Sequence, residues 1–284
     1  MDSTLCPVCS SGTSTVLRKG PIYSFHCCNE CGGHYIDPIE PLVAPQVLFD
    51  KYSWTQEYSA NYEAYLPMAK RSLEEKLRVC EVLTGVRPKS MLDVGCGNGI
   101  YLHAGKLLGL SVLGTEVDGS SAALARQHGL CVKIGKLEDL DIIGAFDFVH
   151  MKQMLHLCPR PVVVLQCAAE KLAPHGVVYV DTHHQNGIFS RFRRIFQKDP
   201  LRYGQLIAPT CCISYTQGAF NTLLARCGLS SRRIFTYSAG NPIYYPLISR
   251  SLKDHAVRFI KAGVDYAGMG SFLAAYCLAT KEEP

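Results

Sequence analysis

Apolar and polar positions change their rhythm twice along the chain. Residues 1 to about 38 show no sustained period; the stretch is polar, rich in cysteine and short of aliphatic side chains. It is too small to bury an adequate core, so it needs a cross-link or a metal to fold. A proline-bearing connector follows (Pro38, Pro41, Pro45). Tyr58, Tyr62, Tyr65, Ala69, Leu73, Leu77 and Cys80 then recur at spacings of three and four, which predicts one face of a helix reaching about Val86. Gly85 and Pro88 end it.

From Ser90 short apolar runs alternate with helical ones. Met91–Val94, Ser111–Glu116, Cys131–Ile134, Phe146–Met151 and Val177–Val180 are expected strands. Helices are expected to about Leu108, over Ser121–His128 and over Val162–Leu172. This rhythm predicts an α/β fold, a parallel sheet with helices on both faces. Gln217–Arg226 reads as a further helix, and Arg232–Tyr237 and Ser271–Thr280 as two late strands. The expected division is residues 1–38, a helical connector over 39–88, and the α/β domain over 89–284.

Composition narrows the class. With 48% hydrophobic and 19% charged residues in 284, the chain is neither a disordered array nor a coiled coil. No apolar run approaches the roughly 18–20 residues a membrane span needs. The start, Met1 to Pro7, has neither a basic n-region nor an apolar h-region, so a cytoplasmic protein with no membrane partner is expected. A net charge of +5 is mildly basic and does not demand a nucleic-acid partner.

Five of the 14 cysteines (Cys6, Cys9, Cys27, Cys28 and Cys31) crowd the first 31 positions; the others scatter among aliphatic residues as small hydrophobes. Cys6-Pro-Val-Cys9 and Cys28-Asn-Glu-Cys31 are two C-x-x-C knuckles separated by 18 residues. Four thiolates so spaced can meet around one Zn²⁺ at about 2.3 Å, making residues 1–38 a small zinc ribbon. Cys27, His26 and His34 are alternative ligands, but only Cys28 repeats the two-residue spacing. A redox C-x-x-C would call for a strand-to-helix junction, and none is visible in the pattern. Ile22–Phe25 is expected as a hairpin strand leading into the second knuckle. A closed site of four cysteines has no vacant position, so folding or docking is its expected role.

Leu92-Asp-Val-Gly95-Cys96-Gly97-Asn98-Gly99 runs from a strand through three alternate glycines into a helix. Glycines allow a sharp bend and let a ligand approach main-chain amides at a helix N-terminus. The dinucleotide fingerprint is G-x-G-x-x-G, with one more residue before its last glycine, so a nicotinamide dinucleotide fits less well. Glu116, ending the next strand, suits a ribose diol.

Asp93-Val-Gly-Cys-Gly-Asn-Gly99 resembles the first motif of class I S-adenosylmethionine-dependent methyltransferases. Gly114-Thr115-Glu116 looks like their second-strand motif, Phe146–Val149 their fourth-strand motif, and Leu172-Ala-Pro-His-Gly176 their L-x-P-G-G turn. The resemblance covers about residues 48–281. It implies a Rossmann-like, seven-stranded, mostly parallel sheet binding S-adenosylmethionine. It also implies residue roles: Gly95, Cys96 and Gly97 along the methionyl part, Asp93 and the Met151 carbonyl at its ammonium, Glu116 on the ribose, Val117 and Leu137 against the adenine, and Glu138 near the adenine amino group. For Asp93 and Asp147, capping or turn work is the alternative. Two departures stand out. Leu155-His156-Leu157 replaces a common Leu-Glu-His after strand four, and His175 replaces the first glycine of the turn.

Methyl transfer from a sulfonium requires alignment of the nucleophile and removal of its proton. Acceptors in open α/β sheets lie beyond the strands' carboxyl ends, where His156, His183 and His184 are expected and are the candidate general bases. Residues 185–216 are expected to cap this pocket. Within them Ser190–Lys198 carries arginines interleaved with phenylalanines at helical spacing: a lid over an anionic acceptor, a surface for RNA phosphates, or a helix docked by its phenylalanines. The expected function is methylation of a small-molecule acceptor, of natural-product, sugar or other metabolite type. The alternatives are an RNA methyltransferase of the ribosomal guanine type, whose zinc module typically has His where Cys31 stands, and a non-catalytic zinc-binding subunit.

Overall fold

The computed structural model describes residues 5–40, 61–238 and 263–280. The first stretch forms three antiparallel strands, β1 (Ser14–Lys19), β2 (Ser24–Cys28) and β3 (His34–Asp37). The strand expected from Ile22 thus starts at Ser24 and runs on into the second knuckle. Pro41, Pro45 and Tyr52–Tyr58 lie outside the described residues.

Helix α1 (Tyr62–Thr84) buries Tyr62, Leu66, Ala69, Leu73, Leu77 and Cys80, and Gly85 ends it in the left-handed conformation, its N–H bonded to the Glu81 carbonyl at 2.8 Å. Leu66 takes the stripe position expected of Tyr65, which is only half buried. The α/β part follows in the expected order: β4 (Ser90–Val94), α2 (Ile100–Leu107), β5 (Ser111–Glu116), α3 (Gly119–Gln127), β6 (Val132–Ile134), β7 (Phe146–Met151), α4 (Pro161–Glu170) and β8 (Leu172–His183). Asp118 caps α3, accepting from the Ser120 and Ser121 amides. Asp147 does turn work: its Oδ2 accepts from the Lys89 and Ser90 amides at 2.8 and 3.0 Å, fixing the start of β4.

β8 is longer than expected. Pairing with β7 jumps from Phe146↔Leu172 to Phe148↔Val177, so the turn before strand five is an irregularity inside one strand. His175, standing where glycine is usual, takes φ 68° there. Beyond β8 come α5 (Ile188–Phe196), the short strands β9 (Arg202–Tyr203), β10 (Leu206–Ile207) and β11 (Ile213–Ser214), α6 (Gln217–Arg226), β12 (Leu229–Tyr237) and β13 (Phe272–Ala279). The central sheet has the order β12-β13-β8-β7-β4-β5-β6. β4 to β8 are parallel, and β13 is antiparallel to both its neighbours, so the expected seven-stranded, mostly parallel sheet is what the chain forms.

The N-terminal strands do not stand apart. β11 adds to β3, pairing Ile213 with Tyr35, and makes a four-stranded sheet. Val8, Phe25, Tyr35 and Ile36 share one buried cluster with Ile213, Phe220, Leu223 and the β7–β8 face of the central sheet. Arg226, at the end of α6, donates to the Val8 carbonyl and to Ser10 Oγ.

Candidate active site and metal centre

The glycine loop leaves β4 in the left-handed region at Gly95, Gly97 and Gly99 (φ 69°, 56° and 78°). At Gly99 the need is steric, because an added Cβ would lie 2.6 Å from Leu130 and 2.8 Å from Ala125. At Gly97 the same atom would meet nothing within 4 Å, so the backbone faces open space there. The Gly95 and Cys96 amides donate to the Thr115 carbonyl at 2.8 and 3.0 Å, pinning the loop to β5. Glu116 closes it: Oε2 accepts the Gly97 N–H at 2.8 Å and Oε1 the Asp118 N–H at 2.9 Å. Burial pushes the carboxyl's pKa up and these backbone bonds oppose it. Each oxygen keeps acceptor capacity for a ribose hydroxyl.

These residues fit S-adenosylmethionine on features of the site itself. Asn98 Nδ2, in the loop, and Glu138 Oε2, after β6, are buried atoms that find no hydrogen-bond partner among the described residues. Leu137, after β6, is buried, and Val117, directly after β5, is half exposed. Cys96 is buried against Gly114. Met151 ends β7, fully buried.

Asp93 belongs to a polar network whose other members the sequence pattern did not single out. Asp93 Oδ1 accepts from His150 Nδ1 at 2.8 Å, and burial lowers the imidazole's pKa, so this is a neutral donor on a carboxylate rather than an ion pair. Asp181, fully buried on β8, accepts four bonds: Gln153 N and Nε2, both at 2.7 Å, Tyr179 OH at 2.9 Å and Tyr237 OH at 2.8 Å. They hold Gln153 at φ 56°, two residues beyond Met151. Lys76 reaches in from α1, bonded to Ser72 Oγ at 2.9 Å and lying over the Tyr101 and Tyr179 rings at 5.0 and 4.8 Å.

Beyond β7 and β8 the structure brings two of the three candidate histidines together. His156, in the turn after β7, and His183, at the end of β8, stack with centroids 3.7 Å apart and planes at 17°. Burial pushes His156 well below the ordinary imidazole value, with His183 adding to it, and takes His183 down to about 4, with Arg193 adding. Both rings are therefore neutral. His184 stays out of the pair, donating from Nδ1 to the Gly270 carbonyl at 2.9 Å. Cys211, one of the scattered cysteines expected to serve as small hydrophobes, sits against the stacked pair.

Helix α5 departs from one expectation. Phe189, Phe192 and Phe196 of α5 are 45%, 56% and 73% exposed, so the phenylalanines do not dock the helix. Ser190 does, buried and donating to Gln185 Oε1 at 3.2 Å, while Arg193 donates to Gln205 Oε1 at 3.0 Å.

In the N-terminal sheet the two knuckles have one geometry. The Ser10 amide donates to the Cys6 carbonyl at 2.8 Å and the Gly32 amide to the Cys28 carbonyl at 3.0 Å, with Ser10 and Gly32 both left-handed. Cys6 and Cys31 sulfurs lie 3.7 Å apart and Cys9 and Cys28 sulfurs 3.4 Å apart. Sulfurs on a zinc tetrahedron with bonds of ~2.3 Å lie roughly 3.8 Å apart, so the set fits the ion with little movement. The hydrogen bond between Cys6 and Cys31 lowers the Cys6 thiol to about 5 and raises that of Cys31, placing their shared proton on Cys31, while burial raises Cys9. Of the alternative ligands, His26 Nδ1 lies 3.0 Å from Ser14 Oγ, Cys27 turns to the Cys28 carbonyl, and His34 stacks beside Tyr203 with its buried Nδ1 unpartnered among the described residues.

The pattern of the methyltransferase domain family matches residues 64–232, and the chain belongs to that family. Among curated relatives, a ubiquinone biosynthesis O-methyltransferase of Idiomarina loihiensis is 32% identical over 36% of this chain and 45% of its own length. Its counterpart in Chromobacterium violaceum is 34% identical over 34% of this chain and 46% of its own. The matched stretch spans about half the length of these relatives. Among solved structures, the plantazolicin methyltransferase BamL, in complex with a triazolic desmethylPZN analog and SAH, superposes with a TM-score of 0.58 at 15% identity, over 83% of this chain and 94% of that one. A SAM-dependent methyltransferase of Thermotoga maritima gives 0.52 at 16% identity, over 83% and 99%. At these identities the structural likeness speaks for the fold.

Proposed function

We propose that the protein transfers the methyl group of S-adenosylmethionine to a small-molecule acceptor. The observation that carries this is the glycine loop with Glu116 bonded into it: an open main-chain cradle at Gly97 beside a carboxylate placed for a ribose. Gly95, Cys96 and Gly97 would line the methionyl part, and Asp93 and Met151 would stand at its ammonium. Val117, Leu137 and Glu138 would form the adenine side. Related enzymes whose names carry O-methylation, and a neighbour named for a natural product, support an acceptor of metabolite size.

The donor is already activated, so the chain's own task is placement. The β7 and β8 ends would present the acceptor, with residues 185–216 closing over it and excluding water. Buried Gln185, Gln205 and Ser214 are polar groups in this region suited to orienting a polar acceptor. Zinc on Cys6, Cys9, Cys28 and Cys31 would have a structural role, holding β1–β3 in the sheet that β11 joins. Calorimetry with S-adenosylhomocysteine tests the donor reading: micromolar binding at one site per chain is expected, and no binding alongside tight binding of NAD would overturn it.

A further inference from the structure

His156, His183 and Cys211 each offer a ligand atom, and the three atoms lie within 4.8 Å of one another. They come from three separate segments, yet the backbone fixes those segments to each other. The Cys212 amide donates to the His156 carbonyl at 2.9 Å, the Tyr215 amide to the His183 carbonyl at 3.1 Å, and Cys211 exchanges two bonds with Ile207 at 2.8 and 3.2 Å. The Nδ1 atoms of both histidines are buried and find no hydrogen-bond partner among the described residues. Burying unpaired imidazole nitrogens costs free energy that a ligand on them would recover.

We propose that His156, His183 and Cys211 form a second metal site, taking one zinc ion with two imidazoles and a thiolate and leaving its fourth position open to the acceptor. Two neutral nitrogens and one sulfur suit zinc, and three protein ligands with a vacancy is the arrangement of catalytic rather than structural sites. Ligand atoms on such a tetrahedron lie roughly 3.3–3.6 Å apart, so the imidazoles, stacked here at 3.7 Å and 17°, turn out of their stack to aim two nitrogens at one ion. The site stands at the carboxyl ends of β7 and β8, where an acceptor belongs. The acceptor class that follows is an alcohol, phenol or thiol. Coordination of its oxygen or sulfur releases the proton to solvent. That atom's lone pair then forms the bond to the methyl carbon, while the electrons of the breaking carbon–sulfur bond return to the donor's sulfur. This acceptor role depends on the methyl-transfer reading; binding of the metal does not.

Metal content of the full chain, purified from zinc-supplemented culture, reads the proposal directly. Two zinc ions per chain are expected, falling to one in His183→Ala and in Cys211→Ala, each checked for folding by its affinity for S-adenosylhomocysteine. Zinc K-edge spectroscopy of the unaltered protein supplies a readout free of variants: a shell of sulfur with imidazole nitrogen at ~2.0–2.1 Å is expected. One ion per chain with an all-sulfur shell, or two ions retained in both variants, overturns the site. Two ions with no S-adenosylhomocysteine binding would leave the metal site standing and bring down the methyl-transfer reading instead.

Discussion

The Gly97 amide donates to Glu116 Oε2 at 2.8 Å, so the residue proposed to hold the ribose also shapes the loop proposed to hold the methionyl group. The two functions are thereby coupled through one side chain. Replacing Glu116 with alanine removes a charge-assisted acceptor and leaves the Gly97 and Asp118 amides unpaired. The expected cost is about 1.5–3 kcal/mol, or roughly ten- to a hundredfold in affinity for S-adenosylhomocysteine. Glu116→Gln, which keeps one acceptor oxygen, should lose less. Equal affinity in all three proteins by calorimetry would mean that the carboxylate does not meet the cofactor.

Cys28→Ser should release one zinc ion, and its effect should not stay local. β3 is paired with β11, and Val8, Phe25 and Tyr35 lie in the same buried cluster as Phe220 and Leu223. In small metal modules metal binding and folding are one event, so the variant should show a lowered melting temperature for the whole chain by calorimetry. A separate, early transition with the main one unmoved would show that the N-terminal sheet unfolds by itself.

The elements of the α/β part were legible because each strand carries an apolar run and each helix a stripe; Phe146–Met151 is a strand with the expected bounds. What was not legible depended on partners far away in sequence. Cys211 reads as one more small hydrophobe until the turn before β11 sets it beside His156 and His183. Lys76 falls on the buried stripe between Leu73 and Leu77, yet nothing local says that Tyr101 and Tyr179 receive it. Nor does the phenylalanine spacing of α5 say which way the helix faces. Periodicity defines a face, and only the docked structure tells whether that face is covered.

Asp181 gathers four hydrogen bonds in a fully buried position, two of them from Gln153. Asn is isosteric but has one carbonyl oxygen in place of two acceptors, and its amide would confront donors. Asp181→Asn should therefore destabilise the fold by about 1.5–3 kcal/mol in urea titrations. It should also free Gln153 from its left-handed conformation and loosen the segment after Met151, seen as faster amide exchange there. Unchanged stability would show that the network contributes little to tying β8 to β12 across β13.

Lys76 makes stability depend on pH in a direction that can be worked out. Burial, with Lys152 adding its repulsion, takes the ammonium from 10.5 down to about 7, while Asp181 and Asp93 oppose the shift. In the unfolded chain a lysine titrates near ~10.4. Between about pH 7 and pH 10 the unfolded state therefore holds a proton that the native state has shed, and stability rises with pH there, by up to ~1.4 kcal/mol per unit. Below about pH 7 both states are protonated, and the full cost of burying the charge is present and constant. Lys76→Met removes this dependence while keeping most of the volume, and the many thiols that titrate above pH 8 contribute alike to both proteins. The unfolding free energy of the unaltered protein, relative to Lys76→Met, should thus climb from pH 7 to pH 10 and be flat below. A difference that stays constant across that range would mean that Lys76 keeps its proton in the fold, held by the two tyrosine faces and the nearby aspartates.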